Sequence, residues 1–366
     1  MILVLYIMTF VYCLAIIALI YGFTKVNSFD YMGLKPKTKF SIVVPFRNEA
    51  ENLPTLLNGL SKLNYPTELI DVILVDDESE EVFSVQCSVF SIQIIKNIRV
   101  SNSPKKDAIS TAIQFVSNDW IVTTDADCVV NENWLSALDN YIQLHDVSML
   151  AGAVSYECED SFLHHFQQLD LASLQGATIG SFGLKKGFMC NGANFAYTKS
   201  FFIELNGFKG NDGIASGDDV FLLQKAIALF PEKVHYLKSE NNIVITKPVN
   251  DWKSLFHQRV RWASKTGSYQ SRFGKALALI VFGGNVGLLF VVYCLLYGNE
   301  NIFLTCFLLL AKFSVDFVLI NKTNVFLKNK THFFLISSLL YPFFSLSVAL
   351  YSLFGKYEWK GRRFSK

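Results

Sequence analysis

Apolar residues in this chain come in blocks long enough to cross a bilayer, and the blocks lie at its two ends. Residues 1–24 carry no Asp, Glu, Lys or Arg, and residues 276–355 carry only Glu300, Lys312, Asp316, Lys322, Lys328 and Lys330. The other 262 residues hold 58 of the chain's 64 charges, close to the density of a soluble domain. The overall figures, 51% hydrophobic and 17% charged with a mean hydropathy of +0.30, therefore average two different materials. A purely soluble protein, a disordered chain and a disulfide-stapled miniature are excluded. A net charge of +2 argues against a nucleic-acid partner, which needs a concentrated basic face. The seven cysteines are scattered without a C-x-x-C pair, so neither a zinc knuckle nor a disulfide framework is expected.

Residues 2–23 form an apolar run of about 33 Å as a helix, enough for a hydrocarbon core of about 30 Å. No basic residue precedes it, and Lys25, Lys35, Lys37 and Lys39 follow. The run reads as a transmembrane helix over 1–24 with the globular segment, 25–250, on the cytoplasmic side. An amphipathic interfacial helix is expected within 251–275, then a membrane region over 276–355 and a basic tail over 356–366. Three apolar blocks occupy that membrane region: 276–297, 302–320 and 333–354. The turn at 298–301 reads as external, the lysine-bearing loop 321–331 as internal. A third crossing would export a basic tail, and Pro342 sits near the middle of the last block, so two spans plus either a third span or a re-entrant hairpin are expected. Lys312 and Asp316, four apart, share a helix face and read as a buried pair. His164 and His165 are adjacent, so a helix points them apart, and they read as structural rather than as a metal site.

Between the apolar ends, residues 40–44, 72–75, 92–95, 121–124 and 147–154 read as strands, and 49–63, 105–116 and 131–145 as helices. This alternation implies an α/β fold with a mainly parallel sheet flanked by helices, whose ligands lie beyond the carboxyl ends of the strands. Acidic motifs stand at those ends. The first strand leads into Pro45-Phe46-Arg47-Asn48-Glu49, the second into Asp76-Asp77, and the fourth into Asp125-Ala126-Asp127. A D-x-D at a strand end offers hard oxygen ligands to a divalent cation that bridges to a diphosphate. Gly217-Asp218-Asp219 heads a helical pattern at 220–230. Gln258-Arg259-Val260-Arg261-Trp262 lies on the amphipathic segment just before the membrane region.

Taken in this order, Val-Pro-Phe-Arg-Asn-Glu, Val-Asp-Asp, Asp-Ala-Asp, Gly-Asp-Asp and Gln-Arg-Val-Arg-Trp resemble the membrane-bound family 2 glycosyltransferases, the branch of cellulose, chitin and hyaluronan synthases and ceramide glucosyltransferase. The tail Trp359-Lys360-Gly361-Arg362 resembles a W-x-G-R ending common in such proteins. The resemblance implies a GT-A nucleotide-sugar-binding domain and inverting transfer from a UDP-sugar, with Mg²⁺ or Mn²⁺ as cofactor. It places Pro45, Glu49, Asp76 and Asp77 at the uridine pocket and Lys106 near the nucleotide. Asp125 and Asp127 hold the ribose, diphosphate and metal. Asp219 is the general base, with Asp218 beside it at the acceptor. Gln258, Arg259 and Arg261 embrace the pyrophosphate, and Trp262 stacks on the acceptor. Glu78 and Ser103-Pro104 depart from the small residue and the glycine that the family commonly has there.

The expected function is hexosyl transfer from a UDP-sugar to a lipid or lipid-linked acceptor at the cytoplasmic face of a multi-pass cell (inner) membrane protein. So few apolar segments leave little to enclose a polysaccharide channel. A processive polysaccharide synthase using the same site is the alternative, and a non-catalytic membrane partner a third class.

Overall fold

The computed structural model describes residues 2–81, 89–211, 214, 216–297, 302–354, 357–359 and 362–364. The expected turn at 298–301 and residues 356, 360, 361, 365 and 366 of the basic tail lie outside them. The chain opens with helix α1 (Ile2–Lys25) and enters the sheet through β1 (Phe40–Phe46). β1 reads Phe-Ser-Ile-Val-Val-Pro-Phe and is buried almost throughout, as befits a strand covered on both faces. Next come α2 (Leu53–Ser61), β2 (Ile70–Asp76), β3 (Ser91–Lys96), α3 (Pro104–Ile113), β4 (Trp120–Thr123) and α4 (Trp134–Leu144). β2, β1 and β4 pair in parallel, and β3, with its more exposed and lysine-ended sequence, takes the edge.

The expected strand over 147–154 divides. β5 (Met149–Gly152) stays in the main sheet, whereas β6 (Val154–Tyr156) pairs with β9 (Val244–Thr246) in a separate two-stranded sheet. The division has a local cause. Asn194 Nδ2 donates to the Ala153 carbonyl (2.8 Å), which accepts its backbone N–H from Val244 of β9 (3.0 Å) rather than from the main sheet. A side chain at Gly152 would lie 2.4 Å from both Asn194 and Asn242, so the amides approach a bare backbone there.

After β6 come α5 (Phe162–Gly183), β7 (Phe195–Thr198), α6 (Lys199–Glu204), α7 (Asp218–Leu229) and β8 (Val234–Leu237). The main sheet has the order β3-β2-β1-β4-β7-β5-β8, and β7 runs antiparallel between β4 and β5. The result is the mainly parallel, helix-flanked sheet expected from the alternation of patterns.

The remaining helices are α8 (Trp252–Ser264), α9 (Arg272–Tyr297), α10 (Ile302–Phe326) and α11 (Phe334–Phe354), followed by the short strands β10 (Tyr357–Trp359) and β11 (Arg362–Phe364). Among the described residues four helices, α1, α9, α10 and α11, are long and apolar enough to cross a membrane. α11 is one helix that continues through Pro342, so the broken hairpin expected as one alternative does not form. Lys312 and Asp316 pair as expected (2.7 Å), and Tyr12 of α1 donates to the same carboxylate (2.6 Å). His164 and His165 diverge, His164 toward Asn250 and His165 toward Asp160.

Helix α5 has no strand or helix expectation behind it. Its buried residues include Gln167, Gln168, Asp170, Gln175 and Thr178, so apolar side chains trace no single stripe. It clasps α1 through glycines. A Cβ at Gly180 would lie 2.4 Å from the Leu19 carbonyl oxygen, and one at Gly183 only 1.8 Å from that of Gly22. α5 also packs on α10, so it joins the sheet domain to the apolar helices.

Candidate active site

The carboxyl ends of β1, β2 and β4 and the amino end of α7 open on one cavity of about 1100 Å³. Of the residues singled out in the sequence, Pro45, Glu49, Asp77, Asp125, Asp127, Asp218, Asp219, Gln258, Arg259, Arg261 and Trp262 all line it. Asp76 does not: its Oδ1 accepts from the Ser79 N–H (2.9 Å) and braces the turn after β2. Lys106 does not line it either. It is buried, donating to the carbonyls of Asn211 (2.5 Å) and Ile214 (2.8 Å) over the ring of Phe221. The expectation that Lys106 reaches the nucleotide is therefore corrected by one position, because adjacent residues on a helix point in different directions. Lys105 faces the cavity instead.

Lys105 organises the acidic groups. Its Nζ donates to Asp125 Oδ1 (2.6 Å) and lies 3.8 Å from Asp218 Oδ2. Burial works against its charge, but Asp125, then Asp218 and Asp219, outweigh that and raise its pKa, so it remains an ammonium. Asp127 lines the cavity beside them.

Asp218 and Asp219 sit in the first turn of α7, where the helix dipole favours negative charge. Gly217 before them has φ +82°, and a Cβ there would meet the Phe221 ring at 2.8 Å, so this left-handed turn requires glycine. Asp219 Oδ2 accepts from the Gly192 N–H (2.8 Å), Oδ1 accepts from Val220 N–H (2.7 Å), and Lys265 Nζ lies 3.7 Å from Oδ1. The environments separate the two acids. Burial raises the pKa of Asp218, with Lys105 opposing and the Asp219 charge adding to the rise. Burial pushes Asp219 the same way, but Lys265, Lys105 and the two N–H groups overcome it and hold Asp219 below the usual carboxylate range. Lys265 stands four residues after Arg261 on the same helical segment, a spacing that marks it in retrospect.

At the far side of β2, Asp77 is buried and fully engaged. Asn97 Nδ2 donates to its Oδ1 (2.6 Å), Arg99 lies 3.6 Å from that oxygen, and Arg362 of β11 donates to Oδ2 (2.5 Å). Arg362 also reaches Glu78, whose φ of +59° explains why a small residue suits that position. Arg47, also on the cavity wall, donates to the Asp77 carbonyl (2.8 Å).

The wall does not end at the polar groups. It continues over Ile16 and Leu19 of α1, Leu277 and Val281 of α9, and Ser337, Tyr341 and Val348 of α11. One cavity thus joins an acidic, lysine-bridged pole to apolar residues of the long helices.

Residues 41–205, a little under half of the chain, match the profile of Glycosyl transferase family 2. Glycosyltransferase AglE of Haloferax volcanii is 26% identical over 120 residues, 32% of this chain and 39% of that protein. An undecaprenyl-phosphate 4-deoxy-4-formamido-L-arabinose transferase of Yersinia pestis is 34% identical over 98 residues, 25% of this chain and 30% of that protein. The chain thus spans well under half the length of these curated relatives. A mannosyltransferase of Pyrobaculum calidifontis, solved with GDP-mannose and Mn²⁺, superposes with a TM-score of 0.54 at 13% identity, covering 93% of this chain and 99% of that one. Residues 41–205 are thus similar to Glycosyl transferase family 2 domains, and the chain has the GT-A fold.

Proposed function

We propose that the protein transfers a sugar, with inversion, from a UDP-sugar to a lipid-linked acceptor at the cytoplasmic face of a cell membrane. The observation that carries this reading is the continuity of one cavity from Asp125, Asp127 and Asp219 to the apolar helices α1, α9 and α11. A head group that stays attached to its lipid can enter from the membrane side while the nucleotide enters from the other. The Yersinia relative is named for an undecaprenyl-phosphate acceptor, which has this chemistry.

Asp219 is the proposed base. An acceptor hydroxyl or phosphate oxygen attacks the anomeric carbon, and where that oxygen carries a proton Asp219 takes it. Held below the usual carboxylate range, Asp219 is ionised and ready. Each of its oxygens accepts one backbone N–H and keeps a lone pair for the incoming proton. The bond from C1 to the diphosphate breaks with its electron pair on phosphate, so UDP leaves, and one displacement inverts the centre. Lys105 and Arg261 supply positive charge on the cavity wall for the growing negative charge.

Among the described residues no three carboxylates, cysteines or histidines form a metal cluster. Two carboxylates, Asp125 and Asp127, stand on the wall, a donor set suited to Mg²⁺ or Mn²⁺, which usually takes one or two carboxylates and completes its shell from substrate phosphates. When bound, such an ion neutralises the diphosphate. Glu49 and Pro45 line the nucleotide end, and Trp262 offers an aromatic face to the acceptor.

Purified protein given a panel of UDP-glucose, UDP-galactose and the N-acetyl sugars tests the donor class. Release of UDP from one of them in the presence of undecaprenyl phosphate, abolished by EDTA and restored by Mg²⁺ or Mn²⁺, is expected. Turnover only of GDP- or other nucleotide sugars would overturn the UDP assignment, and long polymeric products would move the reading to a processive synthase.

A further inference from the structure

Arg259 is a buried, tightly bonded cation in the cavity wall. It is 5% exposed, and its Nε donates to Asp170 Oδ2 on α5 while its Nη1 donates to Gln258 Oε1. The guanidinium sits over Trp262, with its central carbon 4.1 Å from the ring centroid. Asp170, also 5% exposed, uses its other oxygen to accept from the Tyr341 hydroxyl of α11 (2.9 Å). One carboxylate therefore ties α5, α8 and α11 together at the boundary between the polar pole and the apolar helices. Asp170, Arg259, Trp262 and Tyr341 all line the cavity.

Burying a carboxylate and a guanidinium together is seldom the most stable solution, since apolar residues of equal volume often do as well or better. What such a pair does supply is fixed direction, because the planar guanidinium offers its donors in a rigid fork. Here the fork has a fixed base. Asp170 stands on the helix whose glycines at 180 and 183 lock it against α1. Arg259 Nη2, buried in the same wall, meets no acceptor in hydrogen-bond geometry among the described residues, although the Tyr156 side chain also neighbours the guanidinium, whereas Nε and Nη1 are satisfied. An unmet donor of a buried cation is costly, and a ligand oxygen in the cavity would meet it.

We propose that Asp170 is a positioning residue for the acceptor: it pins Arg259 on Trp262, so that the indole face and Nη2 are presented in fixed geometry to an anionic or hydroxyl-bearing lipid head group arriving past Tyr341. This rests on the lipid-linked acceptor proposed above and assigns Arg259 to that acceptor, rather than to the pyrophosphate where the family resemblance puts it. Tyr341 sets the position of α11 against the same carboxylate, so the apolar helix that borders the lipid path is held in register with the aromatic platform. The role differs from that of a plain helix-to-helix tie, which would support the donor and acceptor halves of the site equally.

The test uses the full-length protein in detergent with the UDP-sugar that it turns over and undecaprenyl phosphate as acceptor probe. Three quantities are read for wild type, Asp170→Asn, Asp170→Glu and Tyr341→Phe: Kd for UDP by calorimetry, slow donor hydrolysis without acceptor, and KM and kcat for transfer. Asp170→Asn is expected to raise the acceptor KM about tenfold or more, to leave the UDP Kd and donor hydrolysis within about twofold, and to be partly rescued in Asp170→Glu. Tyr341→Phe, which removes a single hydroxyl, is expected to raise the acceptor KM about threefold with the fold intact. Equal losses in donor hydrolysis, UDP binding and transfer would make Asp170 a structural tie and overturn the proposal, as would an unchanged acceptor KM in both Asp170→Asn and Tyr341→Phe. Failure of the wild type to glycosylate any lipid acceptor would instead remove the functional reading on which the proposal stands.

Discussion

Arg362 donates to the buried carboxylate of Asp77 at 2.5 Å, across 285 positions of sequence. It stands only eight positions after Phe354, the last residue of α11. At about 3.3–3.6 Å per residue those eight span at most about 29 Å fully extended, and the strands β10 and β11 turn the path back on itself. Ahead of α11, Asn329 donates to Ser155 Oγ at 2.6 Å. Both flanks of α11 are thus held by the sheet domain. The expected arrangement is that α11 lies along the bilayer surface; it packs against α8, with Val260 against Val348 and Phe256 near Phe344 and Tyr351. The expected outcome is that a cysteine placed after residue 364 is labelled by a membrane-impermeant maleimide only after the cytoplasmic face is opened. Labelling in intact cells would make α11 a span.

The same contact bears on nucleotide binding. With Arg362 on Oδ2 and Asn97 on Oδ1, Asp77 meets a uracil N–H only in competition with protein donors. Arg362→Ala is expected to tighten UDP binding by about threefold or more, since a charge-assisted hydrogen bond no longer has to be exchanged. Calorimetric titration with UDP checks this. Weaker binding would make Arg362 a nucleotide contact rather than a competitor.

Asp219→Asn removes the proposed base and keeps the shape of the side chain. Transfer is expected to fall about 10³-fold while UDP binding survives. Because the folded pKa of Asp219 is lowered, its carboxylate is lost only as pH falls below the ordinary Asp value of about 3.9, so kcat/KM is expected to be flat from about pH 5.5 to about pH 8. An acid limb near neutrality that disappears in Asp218→Asn would transfer the role to Asp218, whose pKa is raised.

The clasp between α1 and α5 gives a stability contrast. A Cβ at Gly183 would meet the Gly22 carbonyl oxygen at 1.8 Å, whereas one at Gly59, inside α2, finds only Val130 at 3.8 Å. Gly183→Ala is expected to destabilise by about 1–3 kcal/mol or more through displaced helices. Gly59→Ala is expected to stabilise by about 0.5–1 kcal/mol, since alanine limits the unfolded chain and fits the helix. Thermal unfolding in detergent measures both.

What could be read from the sequence was what local pattern encodes. Val-rich runs ending in Asp76-Asp77 and Asp125-Ala126-Asp127 marked β2 and β4 and placed acids at strand ends, because a strand's alternation and its terminus are short-range properties. The choice between Lys105 and Lys106 was not legible, since it depends on which side of α3 faces the cavity. Helix α5 was invisible because partners surround it, leaving no solvent-facing polar stripe to set its period. The division of 147–154 needed the amides of Asn194 and Asn242, and the pairing of Arg362 with Asp77 joins the two ends of the fold. None of these contacts has a signature shorter than the tertiary structure.

The most direct test is the mass of the lipid product. Membranes containing the wild-type protein, given an isotope-labelled UDP-sugar and undecaprenyl phosphate, are expected to yield a lipid heavier by one glycosyl unit, absent with Asp219→Asn. A ladder of many added sugars, or an unchanged lipid beside full turnover of the donor, would contradict single transfer to a lipid-linked acceptor.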